Sequence, residues 1–171
     1  MWPAFWLLGA NYPTATWPLC GEIDIMENKG YQPNIVSSAV HCPGHSGGNP
    51  FTSTFGYQEQ RFDTGFHIFA VEWDETKIEF SVDGYPYHTV LASQMSRDEW
   101  VFNHPFFIIL NLAVGGVFGG DPTDATVFPQ SLYVDYVRVY QRKSQITSDN
   151  INMGGSVSDW NTGGDTDADI E

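Results

Sequence analysis

The segment Gly21-Glu22-Ile23-Asp24-Ile25-Met26-Glu27-Asn28 sets three acids inside a run otherwise shaped like a β-strand. With a side-chain period of two, Glu22 and Asp24 share one face while Ile23 and Ile25 fill the other and tie it to a core. Glu27 breaks the parity. In a flat strand it would point inward beside Ile25, where a lone carboxylate is costly or stays protonated. A β-bulge at Ile25-Met26 resolves the conflict, because one inserted residue resets the alternation and returns Glu27 to the face of Glu22 and Asp24. Bulges are over-represented beside active sites, so the irregularity is itself a functional signal.

With that bulge, the Cα atoms of Glu22 and Glu27 lie on the order of 13 Å apart at about 3.3 Å per residue. Inward-leaning Glu side chains then bring the carboxyls to roughly 5–6 Å, the separation of a pair that cleaves a glycosidic bond with retention. Three carboxylates this close cannot all ionise easily, so at least one pKa rises. The competing reading is an exposed acidic strand face without chemistry. Like charges crowded on one face are destabilising, which argues for a use.

Outward from this segment, residues 1–141 alternate short aromatic and β-branched runs with clusters of Gly, Pro, Asn and Asp, the pattern of an all-β sandwich. Strands are expected at Ala4–Leu8, Glu22–Glu27, Val36–His41, His67–Trp73, Lys77–Val82, Tyr85–Val90, Phe106–Ala113 and Ser131–Gln141. Asp83-Gly84 should close a tight hairpin between the fifth and sixth of these, and one short helix is expected around Leu91–Trp100. On the first strand, Trp2, Ala4 and Trp6 project to one side and Pro3, Phe5 and Leu7 to the other. That strand opens without a leading turn, so strands before Trp2 are expected to be missing from this chain and its stability reduced. From residue 142 the composition turns acidic and rich in Gly, Ser, Thr and Asn, which reads as a flexible tail or linker over 142–171.

The chain has 21 acids against 7 Lys plus Arg, a formal charge of −14, so nucleic acid and anionic membrane surfaces are not expected partners. Its longest nearly apolar stretch, Pro105–Phe118, is broken by Asn111, Gly115 and Gly116, and falls short of the roughly 20 residues a spanning helix needs. Cys20 and Cys42 form no CxxC or Cys/His pattern suited to zinc.

Four segments together resemble glycoside hydrolase family 16, and within it the laminarinase branch of endo-β-1,3-glucanases. They are Trp2-Pro3-Ala4-Phe5-Trp6-Leu7-Leu8-Gly9, the ExDxxE run Glu22–Glu27, Asn111-Leu112-Ala113-Val114-Gly115-Gly116, and Val134-Asp135-Tyr136-Val137-Arg138-Val139-Tyr140. The resemblance implies a β-jelly-roll, concanavalin-like sandwich of two antiparallel sheets with an open concave cleft. It implies a secreted monomer, its export signal outside this chain, that hydrolyses internal β-1,3 linkages of laminarin-type β-glucan.

By the same resemblance Glu22 is the nucleophile, Glu27 the general acid/base and Asp24 the carboxylate that orients and tunes them. Trp2, Trp6 and Trp17 match aromatic positions that can stack on sugar faces, with ordinary core packing as the alternative. His41 resembles a cleft histidine, and Asn111 either faces the cleft or makes a structural hydrogen bond. No cofactor is implied for catalysis. Asp135 resembles the side-chain ligand of a structural calcium found in some members, an incomplete site here because its other ligands come mainly from a strand this chain lacks. With Cys20 on the face of Glu22 and His41 toward the cleft, Cys42 turns away, so free thiols are expected. Two other readings stay open: a non-catalytic β-glucan-binding protein on the same fold, and a hydrolase of mixed-linkage glucan or another polysaccharide.

Overall fold

The computed structural model describes residues 1–141, so the acidic segment 142–171 lies outside the described residues. The chain divides into two units, Met1–Leu132 and Tyr133–Glu171, and every strand described belongs to the first. In chain order the strands are β1 Trp2–Gly9, β2 Glu22–Asn28, β3 Ile35–His41, β4 Phe51–Gly56, β5 Phe69–Trp73, β6 Lys77–Val82, β7 Tyr85–Leu91 and β8 Phe106–Ala113. They form a five-stranded sheet ordered β4-β3-β2-β1-β8 and a three-stranded sheet ordered β5-β6-β7, antiparallel throughout.

The two sheets bury a common core. Leu7, Ile23 and Val40 from the large sheet meet Ile78, Phe80 and Val90 from the small one, all close to fully buried. Alternation explains the rest. β6 buries Ile78, Phe80 and Val82 and leaves Lys77, Glu79 and Ser81 between them, so one face is sealed and the other is polar. The Asp83-Gly84 turn joins β6 to β7 as expected, with φ of 51° and 81°, the left-handed pair that a tight hairpin needs.

Four details depart from the sequence reading. β4 was not anticipated, although Phe51, Ser53 and Phe55 alternate inward with Thr52 and Thr54. β5 starts at Phe69 rather than His67, because Asp83 draws the preceding residues out of the ladder: its carboxylate accepts from the Ile68 amide at 2.8 Å and contacts His67 Nδ1 at 2.8 Å. The helix expected over Leu91–Trp100 is one 3-10 turn, Ala92–Gln94. Local side-chain bonds compete there, with Gln94 Oε1 accepting from the Leu91 amide and Glu99 Oε2 from the Ser96 amide. Finally, residues 131–141 carry no strand. Apolar alternation becomes a strand only where a neighbouring edge accepts its ladder, and no described sheet pairing reaches this segment.

Candidate active site

The bulge is where the acids put it. On β1, Phe5 opposes Met26 and Trp6 opposes Asp24, leaving Ile25 without a counterpart. On β3, Ser37 opposes Glu27 and Ala39 opposes Asp24, so Ile25 and Met26 together face Ser38 alone. Both bulged residues are buried, and Glu27 returns to the face of Glu22 and Asp24. The same register brings other residues to that face: Trp2 and Trp6 from β1, His41 and Ser37 from β3, Thr52 and Thr54 from β4, and Asn111 from β8.

Each outer carboxylate is held by an indole. Trp17 Nε1 donates to Glu22 Oε2 at 2.8 Å, and Trp2 Nε1 donates to Glu27 Oε1 at 2.9 Å. His41 Nε2 sits 3.2 Å from Asp24 Oδ2 and 3.8 Å from Glu22 Oε1, with its ring tilted against Trp17 at 5.7 Å. Trp6 Nε1 donates to Asn111 Oδ1 at 2.8 Å, so Asn111 both faces the cleft and makes a structural bond. Trp17 is the most exposed of the three cleft indoles, at 42%.

Burial and mutual repulsion push all three acids upward. Glu22 is raised to about 7, chiefly by desolvation and then by the Asp24 charge, against the pull of His41 and the Trp17 bond. Asp24, the most deeply buried, is raised well above the usual range by desolvation and by Glu27. Glu27 is raised by desolvation, with the Trp2 bond opposing. Asp24 and Glu22 form a coupled pair of carboxyls, with Asp24 the more buried and the nearer to His41, and with the Trp17 N–H donating to Glu22. Glu27 takes its indole donor on Oε1, which leaves Oε2 to carry a proton.

A loop that the sequence reading passed over seats Trp2. Gly116, at φ 103°, and Gly119 approach the indole so closely that a Cβ on Gly119 would stand 2.8 Å from Trp2 Cβ and 3.1 Å from the Gly115 carbonyl. Phe118 packs on Trp2 at 5.1 Å, and Lys29 Nζ lies 4.3 Å over the Phe118 ring. The glycine pairs bracketing Val117-Phe118 were the available signal. Gly119→Ala is expected to destabilise the fold by about 1–3 kcal/mol through this overpacking, read as a lower Tm and altered tryptophan fluorescence.

As for metals, Glu22, Asp24 and His41 converge to within 4.8 Å and are the group of three such side chains that does so among the described residues. Asp135, expected as a calcium ligand, is exposed and outside any strand. Calcium wants six to eight oxygens, and Asp135 belongs to no converging group of three acidic, histidine or cysteine side chains among the described residues. Both thiols are free and buried; Cys42, pushed up to about 11 by burial and Glu99, is no nucleophile.

The chain is similar to known β-glucanases. The chain is 39% identical over 150 residues to a β-glucanase of Rhodothermus marinus, covering 82% of this chain and 52% of that protein. The laminarinase catalytic domain of Thermotoga maritima superposes with a TM-score of 0.72 at 46% identity, over 75% of this chain and 53% of that one. An endo-β-1,3-glucanase of Pyrococcus furiosus gives 0.72 at 47%, over 75% and 50%. The chain thus spans about half the length of these relatives. The sandwich is the jelly-roll of these neighbours. Residues 1–138, bulged acidic strand included, match the profile of glycosyl hydrolases family 16, and the chain belongs to that family.

Proposed function

We propose that this chain carries the catalytic face of a retaining endo-β-1,3-glucanase acting on laminarin-type glucan. The observation that supports it most is the bulge at Ile25-Met26, which sets two indole-held glutamates on either side of a buried aspartate. A protein that only binds glucan has no need to bury three mutually repelling carboxylates, which favours hydrolysis over the binding reading. In the first step, Glu22 attacks the anomeric carbon while Glu27 protonates the departing glycosidic oxygen, leaving a glycosyl ester on Glu22. Glu27, now ionised, takes a proton from water, whose oxygen displaces the Glu22 ester and regenerates both carboxyl groups. Asp24, buried beside Glu22 and coupled to it, tunes the nucleophile's charge. His41 borders both groups.

Two displacements at one carbon return the original configuration. Proton NMR during laminari-oligosaccharide cleavage is therefore expected to show the β-anomer first, with the α-anomer appearing only by mutarotation. An α-anomer formed first would overturn the two-step assignment.

A further inference from the structure

Two residues of the sandwich interior break the apolar alternation that seals it, and they meet each other. On β3, Val36 and Val40 point into the core, and the inward position between them is Ser38, which is fully buried. On β7, the ring of His88 stacks on Phe80 at 5.1 Å with an interplanar angle of 16°. Ser38 Oγ and His88 Nδ1 share a hydrogen bond of 2.7 Å that joins the large sheet to the small one. Burial lowers the His88 pKa, so the ring is neutral at neutral pH and the bond links two uncharged groups. An apolar pair would fill this space without desolvating a hydroxyl and an imidazole, so the polar pair calls for a reason.

Its place supplies one. Ser38 is the β3 residue that Ile25 and Met26 together face, so it marks where the register of Glu22 and Asp24 ends and that of Glu27 begins. The core divides at the same point: among the described residues, Ile25 packs with Val40 and Phe80 in one apolar cluster, and Met26 packs with Val36 and Val82 in another. β7 is irregular opposite this seam, since Ser81 opposes Pro86 and Phe80 opposes His88, leaving Tyr87 without a counterpart. Thr52 Oγ1 donates to the Ser38 carbonyl at 2.9 Å, so Ser38 is gripped from β4 as well as from β7.

We propose that Ser38 and His88 are positioning residues whose hydrogen bond pins β3 at the bulge and thereby sets where Glu27 stands relative to Glu22. The proposal rests on Glu27 being the proton donor and Glu22 the nucleophile. A bulge leaves one residue outside the ladder, so the two halves of β2 can shift against each other unless something else fixes their offset. Apolar packing is non-directional and tolerates such a shift, whereas a short hydrogen bond specifies distance and angle. Displacing a reacting group by about 1 Å can slow a reaction on the order of a hundredfold, so a shift of about half that corresponds to roughly tenfold.

The test compares Ser38→Ala, His88→Phe and His88→Asn with the unaltered chain. Phe keeps a ring on Phe80 and removes the nitrogen; Asn sets an amide where Nδ1 stands. Ser38→Ala and His88→Phe are each expected to lower kcat/KM on laminari-oligosaccharides about tenfold. On a nitrophenyl β-laminaribioside kcat/KM should hold, because nitrophenolate leaves without a proton from Glu27. The double variant should lose no more than the worse single, since both remove one bond, and His88→Asn should recover most of the loss. In the same two singles the indole N–H resonance of Trp2, bonded to Glu27, is expected to shift, while that of Trp17, bonded to Glu22, stays in place. A lower Tm with rates and the Trp2 resonance unchanged would show that the pair only fills the core, and it overturns the proposal. Equal losses on the two substrates, or losses that add in the double variant, overturn it too. If the unaltered protein cleaves neither substrate, the hydrolase reading fails, and the Trp2 resonance alone still decides whether Ser38 and His88 position Glu27.

Discussion

Glu27→Gln is expected to slow laminarin cleavage by about 10²–10⁴-fold, the usual worth of a positioned proton donor, while Glu22→Gln brings it to background. The two losses differ in kind, and added azide separates them. Without Glu27, a nitrophenyl glycoside still forms the ester on Glu22, because nitrophenolate leaves without a proton; the ester then accumulates, since nothing deprotonates water. Azide needs no deprotonation, so it restores turnover and releases the β-glycosyl azide. Without Glu22 no ester forms, and in Glu22→Ala, whose short side chain leaves room, azide enters from the vacated face to give the α-glycosyl azide. Both Gln side chains keep an oxygen that can accept the existing indole N–H, so the surrounding bonds of Trp2 and Trp17 survive the change. The configuration of the azide product therefore names each residue's role, and a β-product from Glu22→Ala would exchange the two assignments.

Much of this site was legible because it violates a local rule. Glu27 stands on the wrong parity for a flat strand, and only a bulge reconciles that with Ile23 and Ile25 in the core. The Asp83-Gly84 turn was equally plain, since its backbone angles select those residue types. What stayed hidden depends on pairing between distant segments. Trp2 meets Glu27, 25 residues away, through the β1–β2 register, and Trp6 meets Asn111 through β1–β8. Neither register is encoded in one stretch of sequence. Ser131–Gln141 failed in the opposite direction: strong alternation there predicts a strand, yet strand character belongs to a pair of segments and not to one. A cavity beside Glu27 gathers side chains from the β2–β3 loop, β3 and β4, a convergence that no periodicity announces.

The crowding of the three acids sets a cost on the folded state, and pH exposes it. Glu22 moves from 4.5 to about 7 on folding, so the native protein holds this proton more tightly than the unfolded chain does. Its stabilising contribution is complete below about pH 4.5 and is lost as pH rises through 7. At about 1.4 kcal/mol per pKa unit, the loss is on the order of 3 kcal/mol. Asp24 and Glu27 are shifted in the same direction, so they deepen the trend. Tm is therefore expected to fall between pH 5 and pH 8. Glu22→Gln, which cannot ionise and leaves Asp24 with one fewer negative neighbour, should flatten that fall and melt above the unaltered protein at pH 8. At roughly 2–4 °C per kcal/mol the gap is on the order of 5–10 °C. Scanning calorimetry of both proteins at pH 5 and pH 8 reads it directly. Identical pH dependence in the two would mean that Glu22 folds without strain, and the trade between stability and activity at this strand would then fall to Asp24 and Glu27 alone.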